Sequence, residues 1–119
     1  MSIASQIVDD IRDHVRNYEI NRSQAEDKEN LVNGFRNAPQ TKSVKYQLRE
    51  AQEYLTIYET NAANSRREAM KLYRKYKEHF DSDELREAEE LIEKIIILGV
   101  GLTPGAFLRH KTNYEYWRV

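Results

Sequence analysis

The chain has 119 residues, 33% of them charged, with a formal net charge of −1 and no cysteine. This length predicts one domain, and the absence of cysteine excludes disulfides, thiolate nucleophiles and cysteine-based zinc sites. Without its eight tyrosines and with its four glycines, the apolar share is about a third, below the roughly 45–50% of an ordinary domain. So little core material suits an elongated helical bundle or hairpin better than a compact sphere.

Met1-Ser2-Ile3 leads into Asp9 and Asp10, not into a basic segment and an apolar run, so no signal peptide is expected. The longest apolar run, from Ile95 to Leu102, is far short of the roughly 20 residues of a membrane span. The expectation is a cytoplasmic protein with no membrane partner.

The first element carries Val8, Ile11, Val15 and Tyr18 at spacings of three and four, with Ile3 and Ile7 beside that line. This predicts an amphipathic helix from about Ser2 to Ile20. Asn21-Arg22-Ser23 offers a break, and Ser23 with Glu26 has capping-box spacing for a second short helix through Leu31, Val32 and Phe35. One helix running through to Arg36 is the alternative. Pro39 ends it either way, because the residue before a proline is disfavoured in helix.

Val44, Leu48, Ala51, Leu55, Tyr58, Ala62, Ser65, Ala69, Leu72 and Tyr76 then follow a strict four-three alternation. That register is the mark of a coiled-coil seam, and Leu48, Leu55 and Leu72 are expected to be buried in it. A break at Asn61-Ala62-Ala63-Asn64 competes, with Ser65 and Glu68 as a second capping-box match. A turn would reset the phase, so the unbroken register predicts one helix from about Thr41 to Phe80. A seam that outlasts its neighbours in the chain also points to a homodimer.

Asp81-Ser82-Asp83-Glu84 places acids at the start of another helix, whose seam continues through Leu85, Ala88, Ile92 and Ile95, with Gly99 as its C-cap. Thr103-Pro104 begins a short helix through Lys111, and the remaining residues have no helical period. Strand signals are almost absent. The expected class is all-α: an elongated antiparallel helical bundle or helical hairpin with a long central coiled-coil-like helix. Residues 1–119 are expected to form a single helical domain, with 112–119 as a non-helical aromatic-basic tail.

Charge is segregated along the chain. Residues 66–77 set Arg66, Arg67, Lys71, Arg74, Lys75 and Lys77 against Glu68, a balance of +5, and residues 78–93 set eight acids against Arg86, a balance of −7. Arg66, Arg67, Lys71, Arg74 and Lys75 are thus candidate nucleic-acid contacts, a stripe for phosphates. The plainer alternative is that the basic and acidic helices lie side by side and neutralise one another. Tyr46, Tyr54 and Tyr73 lie off the seam and could face a partner or another part of the fold, whereas Tyr58 and Tyr76 belong to it.

Arg109, Tyr114, Tyr116, Trp117 and Arg118 form the candidate partner-binding group, because aromatic and arginine side chains together supply binding hot spots. The alternative is that the rings fold back over an open end of the bundle. Arg74-Lys75-Tyr76-Lys77-Glu78-His79 resembles the Arg-x4-6-His motif of HEPN ribonucleases, small helical proteins that are often dimeric. Over those six residues the resemblance implies acid–base chemistry at His79 and phosphate stabilisation by Arg74. His14, His79 and His110 stand far apart, with no His-x3-His or Glu-x-x-His pair, so no metal is expected. The glycines of Gly99–Gly105 lack a P-loop lysine and a preceding strand, and read as a connector.

The function these residues support is a non-enzymatic helical protein–protein interaction module, an adaptor, assembly factor or inhibitor with no cofactor. Nucleic-acid binding through residues 66–77 and the tail is the alternative, and a HEPN-like ribonuclease the third.

Overall fold

The structure, a computed structural model, describes residues 2–99, with side chains through Ile96. Among these residues it is all-α: α1 (Ile3–Arg36), α2 (Lys42–Tyr76) and α3 (Ser82–Gly99), with a 3-10 turn at Lys77–His79 and no strand. The short helix and tail expected beyond Gly99 lie outside the described residues.

Local chemistry sets each boundary. The Ser2 hydroxyl accepts a hydrogen bond from the Ser5 amide at 3.1 Å and caps α1. The helix then runs through Asn21-Arg22-Ser23 without a break. Asn21 stays helical by donating its side-chain amide to the Asn17 carbonyl at 2.8 Å. The buried line Ile11, Tyr18, Ala25 and Val32 advances in steps of seven through this stretch, so a turn there would rotate the line out of the core. The Ser23–Glu26 spacing therefore caps nothing.

Beyond Arg36, the Gln40 side chain donates to the carbonyls of Phe35 (2.9 Å), in the last turn of α1, and Ala38 (2.8 Å), in the turn that follows it. Thr41 Oγ1 accepts from the Val44 amide at 3.2 Å and caps α2. The expected unbroken second helix holds through Asn61–Asn64, where Ala62 is buried. It tightens into the 3-10 turn after Tyr76, short of the expected Phe80. Phe80 is extended at φ −83°, ψ 142° and delivers the chain to the cap of α3. There Asp81 Oδ1 accepts from the Glu84 amide (2.8 Å) while Glu84 Oε1 accepts from the Asp81 amide (2.9 Å), a reciprocal capping box.

The chain divides into two compact units. The first joins Met1–Arg16 to the segment from Ser65 onward. Its described core is Ile7, Val8, Ile11 and Val15 of α1, Ala69, Met70 and Tyr73 of α2, and Ala88, Leu91, Ile92, Ile95 and Ile96 of α3. Two polar links tie α1 to α3 here: Ser5 Oγ donates to Glu84 Oε2 at 3.1 Å, and Arg12 pairs with Glu87 while also holding Asp9 at 2.5 Å. Ile3, expected beside the seam, is exposed.

The second unit, Asn17–Asn64, is a helical hairpin of the later part of α1 and the earlier part of α2. Its buried residues are Tyr18, Ala25, Val32, Ala51 and Ala62. Leu48 and Leu55, expected to be buried in the seam, are only half-buried, and so is Leu72 in the first unit. The register is as expected, but in the hairpin its alanines are the residues that disappear completely. Small side chains let two helices approach closely, and a lone pair of helices leaves the flanking leucines partly wet.

Candidate interaction surface

Large apolar side chains that remain exposed are concentrated in the hairpin. Ile20, Leu31, Tyr46, Tyr54 and Ile57 are 53%, 44%, 68%, 43% and 50% exposed, and Ile3 is the remaining large apolar residue of this kind among the described residues. At 100° per residue, Tyr46, Tyr54 and Ile57 fall within an arc of about 80° on α2, centred about 120° from the seam. α2 therefore carries two apolar stripes within the hairpin. One packs on α1 and the other faces outward.

On α1 the matching residues lie to one side of the buried line. Leu31 and Phe35 approach Tyr46 and Tyr54 across a groove of about 320 Å³, whose lining also includes Lys28, Gln47 and Glu50. Lys28 holds its ammonium 5.1 Å from the centre of the Tyr54 ring, which stacks on Tyr58 at 6.4 Å and 24°. A cation over a ring is weakly favourable at an exposed site such as this, and it sets Lys28 beside the Tyr54 ring at the groove wall. On the other side of the buried line, α1 presents Glu26, Glu29 and Asn33, all exposed. The hairpin thus has one polar face and one on which exposed apolar side chains are interspersed with Lys28, Gln47 and Glu50.

The basic residues nominated from sequence sit at the end of α2. Arg67, Lys71, Arg74 and Lys75 are exposed and Arg66 is half-buried. The four exposed ones span an arc of about 100°, with the Lys75 ammonium 5.3 Å from the Tyr76 ring centre. Glu84 and Glu87 of the acidic helix have partners on α1, and Arg66, Arg67, Arg74, Lys77 and Glu89 each make further interactions of their own. Arg74 lies in the last turn of α2, whereas His79 closes the 3-10 turn with its ring 6.3 Å from that of Tyr76. The ribonuclease-like pair is thus split across two elements.

Arg109, Tyr114, Tyr116, Trp117 and Arg118 lie outside the described residues. Tyr73, one of the off-seam tyrosines, is 2% exposed and belongs to the core, while Tyr46 and Tyr54 line the groove. Ile20, Leu31 and Ile57 escaped the sequence reading as surface residues. The spacing of Tyr46, Tyr54 and Ile57 was the available signal, an apolar stripe out of phase with the seam. Among the described residues no group of three His, Asp or Glu side chains could hold a metal ion, and no helix is long and apolar enough to cross a membrane.

Compared with known proteins, the chain matches no protein-family model, no characterised relative and no solved structure.

Proposed function

We propose that the protein is a non-enzymatic helical interaction module whose binding element is the apolar face of the hairpin formed by residues 17–64. The observation that carries this reading is the clustering of Leu31, Tyr46, Tyr54 and Ile57 on one face while Glu26 and Glu29 occupy the other. Exposed apolar patches of several hundred Å², rimmed by polar residues, mark interaction sites, and a groove between two helices accepts a further helix through apolar anchors. A photo-cross-linking amino acid placed at Tyr46 should capture a protein in host extract, either foreign or a copy of the chain. The same group at Glu26 should capture none. Equal capture at both positions, or none at either, would remove the hairpin face as the binding element.

A second reading, nucleic-acid binding, draws on the exposed arc of Arg67, Lys71, Arg74 and Lys75. Affinity for random RNA or DNA that falls steeply with salt, and weakens on changing Lys71 and Lys75 to Glu, would favour it. A HEPN-like ribonuclease has only the six-residue resemblance behind it, and RNA cleavage lost in His79→Ala would be its signature.

A further inference from the structure

Resting on the interaction-module reading, we propose that the hairpin's apolar face is covered by a second copy of this chain. Two hairpins pack face to face about a twofold axis parallel to their helices. α1 of each copy then lies across α2 of the other, and Lys28 of each copy meets Glu50 of the other.

The area is right for a partner of this kind. At roughly 200 Å² for a tyrosine side chain, and somewhat less for isoleucine or leucine, the exposed fractions of Ile20, Leu31, Tyr46, Tyr54 and Ile57 offer on the order of 400 Å². A standard interface buries about 800 Å² on each partner, a little over half of it apolar. The stripe therefore supplies nearly the whole apolar half of one such surface. The coiled-coil seam is not what pairs the copies, since the chain's own helices occupy it at Ala51 and Ala62.

Charge selects a second copy over an unrelated helix. A twofold interface must be self-complementary, with each patch carrying both members of every pair. Lys28 and Glu50 line the same groove, yet the described ion pairs involve neither. Lys28 stands at the level of Tyr54, and Glu50 lies one helical turn along α2 from that ring. Turning one hairpin onto the other about the lengthwise axis keeps levels and exchanges helices. Each lysine then comes within a turn of the opposing carboxylate, two reciprocal pairs from one patch.

Sedimentation equilibrium of the full chain at micromolar concentration should return twice the chain mass. Introducing Tyr46→Glu with Ile57→Glu should return the monomer with the helical circular dichroism unchanged, because both side chains are exposed. Lys28→Glu alone and Glu50→Lys alone should each weaken association by about tenfold or more, since like charges then face each other twice. Mixing those two variants should restore it, because each then offers the charge the other lacks. A monomeric wild type, association untouched by Tyr46→Glu with Ile57→Glu, or no recovery on mixing would each overturn the pairing. A monomer that still cross-links a foreign protein through position 46 would defeat the second copy and leave the interaction module standing. A monomer that cross-links nothing would defeat both.

Discussion

The three-helix unit buries twelve of the described apolar side chains and the hairpin only five, although α1 and α2 contribute to both. In the three-helix unit α1 submerges Ile7, Val8, Ile11 and Val15, a face wide enough to touch two neighbours. In the hairpin it submerges Tyr18, Ala25 and Val32, one residue in seven, which is the width of contact with a single neighbour. The sequence is not correspondingly poorer in apolar residues there. Ile20, Leu31, Tyr46, Tyr54 and Ile57 are present and lie outside the contact line. The width of a helix's buried stripe thus counts the helices packed on it within the chain, and apolar residues beyond that width stay at the surface.

Truncation should expose the contrast most strongly at Ile92, which is fully buried in the core of the three-helix unit. Ile92→Ala should cost about 2–5 kcal/mol in urea unfolding, the loss of transfer energy plus an incompletely collapsed cavity. Leu55→Ala, in the half-wet seam of the hairpin, should cost about 1–2 kcal/mol, because a partly exposed side chain has less to lose. A Leu55 loss as large as that at Ile92 would mean that the hairpin is packed as deeply as the three-helix unit and would erase the comparison. The smallest effect should have the opposite sign. Gly34 lies inside α1 with nothing within 4 Å of an added Cβ, so Gly34→Ala should stabilise the chain by about 0.5–1 kcal/mol. A loss there would show that something packs over Gly34. All three comparisons need one protein concentration, since a chain that self-associates gains apparent stability as concentration rises.

Periodicity carried the fold a long way. All ten positions of the four-three register, from Val44 to Tyr76, are buried or half-buried, so phase was legible without structure. Depth was not legible, because it depends on how many helices close over a given level. Capping signals were ambiguous for a related reason. Ser23 with Glu26, Ser65 with Glu68 and Asp81 with Glu84 share one spacing, yet only the last is a helix start. At the first two an apolar line passes through in phase, whereas Asp81 follows an extended Phe80 where the preceding helix has already tightened. The groove was the least readable feature. Leu31 and Phe35 look like ordinary helix residues until the turn at residues 37–41 sets them beside Tyr46 and Tyr54.

The covalent layout of the two units has a consequence for the order of events during synthesis. The hairpin is one contiguous stretch, Asn17–Asn64, whereas the larger core needs Met1–Arg16 together with chain from Ser65 onward. Its hydrogen bond from Ser5 to Glu84 spans 79 positions. At about 5–20 residues per second, the ribosome finishes the hairpin roughly 2–6 s before Ile96 is added. Through that interval Ile7, Val8, Ile11 and Val15 have no α3 to cover them. This helix face is made before the hairpin and buried after it, and a nascent chain carrying it offers chaperones an apolar target until α3 arrives.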